Sequence, residues 1–151
     1  MENRQMKIGV MRVRENARLP FFGSQMAAGA DLYACLGDEK IVIGPGRTVM
    51  IGTGISMAIP EGYFGGVFAR SGLASRQGLR PANCVGVIDA DYRGEVIVAI
   101  HNDSDEERSI RDGDRIAQIV IMPCMDVCYQ LCDSLDETQR GEGGFGHSGI
   151  R

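Results

Sequence analysis

Short apolar stretches recur along the chain, and glycine, 21 residues in all, and other turn residues punctuate them. The stretches are Lys7 to Val13, Ala30 to Ala34, Lys40 to Ile43, Thr48 to Ile51, Ile55 to Ala58, Gly65 to Ala69, Val85 to Asp89, Gly94 to His101, Arg108 to Ile110, Asp114 to Met122 and Asp126 to Leu131. Gly44-Pro45-Gly46, Pro60-Glu61-Gly62, Asp103-Ser104 and Asp112-Gly113 separate several of them. Short strands broken by turn chemistry predict an antiparallel sandwich, jelly roll or barrel. One helix is predicted: Ser71 as N-cap, a turn or two over Leu73 to Gln77, and Gly78 at the C′ position. No repeat or second domain is visible, so the strands form one β domain over residues 1–139. Residues 140–151 carry RGEGGFGHSG, which has no core-forming pattern and predicts a flexible tail.

The 151 residues suit one domain with one modest core. A net charge of -4 argues against a general nucleic-acid binder, which would carry a basic surplus. It leaves room for a small phosphorylated ligand held by a few arginines. No apolar run reaches membrane-span length, and the start of the chain lacks a signal-peptide core, so a cytoplasmic protein is expected. The five cysteines are odd in number, which disfavours a disulfide framework. Cys124, Cys128 and Cys132 are spaced by four, without a C-x-x-C and far from His101 and His147. Reduced thiols are the reading, not a zinc site.

Four segments could carry chemistry. At Ala69-Arg70-Ser71-Gly72-Leu73 a strand runs into a helix start. There Arg70, the free helix N–H groups and the bare Gly72 could seat an anion, or the segment is a plain cap with a surface Arg. Gly86 to Gly94, with Asp89, Asp91 and Tyr92 at its polar tip, reads as a β-hairpin. Its aspartates either bond the turn backbone or one is a general base. Tyr92 could pack on a ring-shaped ligand or on the next strand. Gln118 interrupts the apolar strand from Asp114. In the tail, glycine N–H groups, Arg140 and Ser148 could cradle phosphate, and Phe145 could stack on a planar base. A plain linker is the alternative.

Taken in order, these segments resemble the five motifs of the trimeric dUTPases. They are Ala28-Gly29-Ala30-Asp31-Leu32, Arg70-Ser71-Gly72-Leu73, Asn83 to Tyr92, Gly113-Asp114-Arg115-Ile116-Ala117-Gln118, and Arg140 to Gly149. The resemblance spans nearly the whole chain, and the fifth motif is its most specific part. Departures are small: Ala69 stands where Pro is common, and Cys84 where an aliphatic or small residue is usual.

The resemblance implies an all-β, jelly-roll-like barrel subunit with one short helix and a flexible Gly-rich C-terminal lid. It implies a homotrimer whose active sites are shared between chains. The implied activity is hydrolysis of dUTP to dUMP and pyrophosphate, supplying dUMP for thymidylate synthesis and keeping uracil out of DNA. Asp89 would activate the attacking water. Mg2+ would ride on the substrate phosphates and water, with no direct protein ligand, and Asp31 would be structural or an outer-shell contact. Asn83, Gly86, Val87, Ile88 and Ile97 would hold uracil and deoxyribose, with Tyr92 excluding a 2′-hydroxyl. Ser71, Gly72 and Gln118 would contact phosphates, with Arg70 beside them or paired to Asp114. Arg140 would meet the γ-phosphate, Phe145 the uracil ring, and Gly146 and Ser148 the closed substrate. The implied partners are dUTP and further copies of the chain, with no nucleic acid and no membrane. The rivals are a dCTP deaminase, for which no matching Arg and Glu arrangement is present, an inactive nucleotide-binding regulator, and a lectin-like structural trimer.

Overall fold

The structure, a computed structural model, describes residues 6–145. Its five-stranded sheet runs in the order β2 (Phe21–Phe22), β3 (Ala30–Tyr33), β12 (Arg115–Pro123), β7 (Tyr63–Phe68) and β9 (Val85–Ile88). A three-stranded sheet runs β5 (Thr48–Gly52), β10 (Ile97–Asn102), β8 (Leu79–Pro81). Two further pairs close the barrel: β1 (Gly9–Arg12) with β6 (Ile55–Ala58), and β4 (Lys40–Ile43) with β11 (Arg108–Arg111). Every ladder is antiparallel. The fold is mostly β and jelly-roll-like, as the short apolar stretches between turns predict. Among the described residues no helix is long and apolar enough to cross a membrane.

Ile43, Ile51, Ile55, Leu79, Val96, Ile100, Ile110 and Ile116 are fully buried, one or two from most strands. β-Branched residues dominate because they pack well on a pleated surface, and each buried side chain contributes about 1.5–3 kcal/mol of transfer free energy. Asn102, the one buried carboxamide among the described residues, donates to the carbonyls of Ile43 and Glu106 and accepts from the Ser104 N–H and hydroxyl. No buried side-chain polar atom among the described residues lacks a partner. Cys35 is buried beside this core, and burial raises its thiol pKa, with Asp112 adding to the effect.

Three expectations are corrected. Asp126 to Leu131 is not a strand: the chain beyond Pro123 finds no ladder, and Val127, Tyr129 and Leu131 stand exposed. A short apolar stretch makes a strand only where an edge is free to pair with it. The Gly86 to Gly94 unit is not a hydrogen-bonded hairpin. β9 pairs with β7, whereas β10 pairs with β5 and β8, so the segment is a corner between two sheets. In the helix (α1, Ser71–Gln77), the N-cap is Arg70, with extended backbone and no side-chain cap bond. Ser71 is already helical, and its carbonyl accepts from the Ser75 hydroxyl. Gly78 does end the helix, at a φ of 68° that glycine adopts without strain. The candidate stretches also omit β2 and β8, which are only two and three residues long.

Candidate functional site

Residues that pair across an antiparallel ladder share a face. Asp31 on β3 faces Gln118 on β12, which in turn faces Phe68 on β7. The break in the apolar pattern at Gln118 thus stands beside a carboxylate on one side and an aromatic ring on the other. Its carboxamide nitrogen donates to the Ala69 carbonyl at 2.9 Å. A Cβ on Gly29 would come within 2.8 Å of the Gln118 oxygen, so the glycine lets that side chain lie flat.

Just past Phe68, Arg70 Nε donates to Asp31 Oδ1 at 2.7 Å, and Arg115 Nη1 reaches Asp31 Oδ2 at 3.3 Å. The alternative partner, Asp114, instead accepts from the Arg111 N–H and closes the turn before β12. Asp31 is nearly buried, so two guanidiniums converge on one shielded carboxylate and leave a net positive charge at its rim. Arg70, Ser71, Gly72, Arg115 and Gln118 line one cleft of about 480 Å3, with Arg76 of α1 at its edge. Arg76 and Arg115 were not assigned by sequence; Arg115 lies inside the fourth motif, and its Asp31 partner 84 positions away hid its role. No group of three or more His, Cys, Asp or Glu stands together among the described residues.

A second, smaller cavity of about 110 Å3 lies where the two larger sheets meet. Asn83, Gly86, Val87, Ile88 and Ile97 line it, with Val67 at its back. A Cβ on Gly86 would sit 3.2 Å from Val67 and 3.3 Å from the Asn83 amide nitrogen, so Gly86 opens this floor. Tyr92 lies along the following corner, its hydroxyl donating to the Glu95 carbonyl at 2.9 Å and its ring close over Gly94. Asp89, at the end of β9, is exposed, and its carboxylate makes no hydrogen bond among the described residues. It lines neither the cleft nor the cavity.

Beside that cavity, Arg80 grips Asp103 with both Nε and Nη2, at 2.5 and 3.1 Å. The hydrogen bond from Arg80 holds the Asp103 carboxyl below its ordinary pKa. In the tail, Arg140 Nε donates to the Gly143 carbonyl at 2.8 Å, and Phe145 is fully exposed. Gly146 and Ser148 lie outside the described residues.

A family model described as dUTPase matches residues 15–149. The deoxyuridine 5'-triphosphate nucleotidohydrolase of Desulfitobacterium hafniense (strain DSM 10664 / DCB-2) is 48% identical over 151 residues, covering 99% of each chain. That of Syntrophotalea carbinolica is 49% identical over 143 residues, covering 95% of this chain and 97% of the relative. Among solved structures, the Staphylococcus bacteriophage 80alpha dUTPase with dUpNHpp superposes at a TM-score of 0.86 and 29% identity. That match covers 97% of this chain and 100% of the phage chain.

Proposed function

The chain belongs to the dUTPase family, and from that premise we propose that it hydrolyses dUTP to dUMP and pyrophosphate through an Asp89-activated water attacking the α-phosphorus. The observation that carries the reading is a pair of recesses of matched chemistry. The larger cleft has three arginines, a helix-opening Ser-Gly and a fixed Gln, which suits a phosphate chain. The smaller cavity falls well below the about 300 Å3 of an ordinary ligand pocket, which suits one ring. Asn83 and the β9 backbone offer it hydrogen-bonding groups for a uracil edge.

In this mechanism Asp89 holds and deprotonates the water, and its unpartnered carboxylate suits that work. Phosphoryl transfer then depends chiefly on positioning and charge neutralisation. Arg70, Ser71, Gly72 and Gln118 orient the phosphates. Asp31 is taken up by two guanidiniums, so the residues fit a Mg2+ that arrives on the triphosphate and not one held by a protein ligand set. When bound there, Mg2+ would supply further neutralisation of the phosphate charge. Tyr92 rejects a 2′-hydroxyl by filling its space. Arg140, Phe145, Gly146 and Ser148 form a lid that closes over the substrate.

The active unit is a homotrimer with shared sites. Support comes from the single chain: Asp89 lines neither recess, and the two share no lining residue. Met125, Val127, Tyr129, Leu131 and Leu135 also hold out an apolar face that water does not favour. The cytoplasm is the proposed location, supported by five free thiols among the described residues. There the reaction supplies dUMP for thymidylate synthesis and keeps uracil out of DNA.

The test is to incubate the pure protein with Mg2+ and dUTP, dCTP, dTTP or UTP and resolve the products. Release of dUMP and pyrophosphate from dUTP, with the other nucleotides spared, is the expected result. Ammonia from dCTP would favour a deaminase, and no turnover would favour a binding protein.

A further inference from the structure

Among the described residues Cys84 is the only non-glycine with positive φ, at 62°. The Val85 N–H donates back to the Asn83 carbonyl at 2.6 Å, closing a three-residue turn around it. Such a turn is rare and strained for a residue with a Cβ. It persists only where the surroundings over-determine it, and here the surroundings can be named. Arg80 Nη1 donates to the carbonyls of Pro81 and Ala82, at 3.2 and 3.4 Å, and lies 3.7 Å from Cys84 Sγ. The other edge of the same guanidinium is held by both oxygens of Asp103. Asp103 is itself fixed, its N–H donating to the Gly78 carbonyl at the helix end. The planar fork of Arg allows one side chain to bind a carboxylate on one edge and brace backbone on the other.

The turn has a product. Asn83 enters it with its carboxamide folded over Gly86, at the mouth of the small cavity. A relaxed backbone at Cys84 would swing that carboxamide away.

We propose that Arg80 and Asp103 are positioning residues for base recognition, which clamp the Cys84 turn so that Asn83 faces the pyrimidine. The inference rests on the proposed function, because it takes the cavity as the base site. Neither residue lines that cavity, so each acts through Asn83 and not on substrate.

The test is steady-state kinetics with dUTP and dCTP on the full-length protein, as wild type, Arg80→Met, Asp103→Asn, and Arg80→Met combined with Cys84→Gly. Both side chains are partly exposed, so the variants keep the core intact. Arg80→Met should raise KM for dUTP about three- to tenfold, the loss of roughly one net hydrogen bond's worth of positioning. Its kcat should stay within about twofold, and its preference for dUTP over dCTP should narrow. Asp103→Asn should show the same in weaker form. Glycine adopts a φ near +62° without penalty, so adding Cys84→Gly should restore KM, which a brace acting only on stability would not do. Wild-type turnover with an unmoved KM in both single variants overturns the clamp alone. So does a raised KM that Cys84→Gly leaves unrestored. A wild-type protein that leaves dUTP intact overturns the base-site reading and the clamp with it.

Discussion

Arg70 donates through Nε to Asp31 Oδ1 at 2.7 Å, so the guanidinium that lines the larger cleft is anchored by a shielded carboxylate. Removing the charge of Asp31 leaves Arg70 and Arg115 crowded together without a counterion. Asp31→Asn should therefore lower unfolding stability by about 1.5–3 kcal/mol, the range for a hydrogen bond to a charged group. Urea denaturation measures this, and an unchanged midpoint would show that solvent already screens the pair.

Asp89 has the opposite situation. Its carboxylate is exposed and makes no hydrogen bond among the described residues, so nothing in the fold depends on its charge. Asp89→Asn should keep thermal stability and nucleotide affinity while kcat falls roughly a hundredfold or more, as for the loss of a positioned base. Near-normal kcat would remove Asp89 from the mechanism.

Tyr92 is tethered through its hydroxyl to the Glu95 carbonyl, and Gly94 leaves room for its ring. Two variants separate ring from tether. Tyr92→Ala should raise UTP hydrolysis relative to dUTP, because the space for a 2′-hydroxyl opens. Tyr92→Phe keeps the ring and should keep the preference. An unchanged ratio in Tyr92→Ala would mean that the sugar is sensed elsewhere.

How legible was this in the sequence? The strands of the core were, since apolar stretches between turn residues mark them, and β4 and β6 fall on their predicted bounds. Partner choice was not. The alternation around Gly86 to Gly94 reads the same whether β9 and β10 pair with each other or with β7 and β5. For the site, the motif residues were visible one by one, but their couplings were not. Nothing local at Arg70 distinguishes Asp31, 39 positions back, from Asp114. Arg80 carried no motif, and only its two-sided grip on Asp103 and the Cys84 turn draws notice to it.

Beyond Pro123 the alternation that failed to make a strand still predicts something. Met125, Val127, Tyr129 and Leu131 recur at every second position and stand exposed, a strand's face without a sheet. A second copy of the chain would cover it. Sedimentation of the pure protein should give three times the 16.3 kDa chain mass, and Leu131→Asp should shift that distribution toward monomer with loss of activity. A wild-type monomer that hydrolyses dUTP would refute the shared-site arrangement.

The tail should matter to turnover and not to folding. Over its described part, the hydrogen bonds of Arg140, Gly141 and Gly143 stay between Thr138 and Gly143. Phe145 rests on nothing, fully exposed. None of the described tail residues is buried in the barrel, so deletion of Arg140 to Arg151 should leave the melting temperature and oligomeric state unchanged. Under the proposed function the account differs with substrate bound: Phe145 would gain a flat partner in uracil, Arg140 would gain a phosphate, and closure would exclude water from the reacting group. A cut of this kind removes positioning worth about a hundredfold in kcat, while binding of dUpNHpp should weaken less. Phe145→Ala removes only stacking, about 0.5–1.5 kcal/mol, and should cost about three- to tenfold. Measuring kcat beside analogue affinity for both variants separates the roles. Full activity in the truncated protein would reduce the segment to a linker, whereas equal losses in affinity and kcat would make it a binding strap without a part in the chemical step.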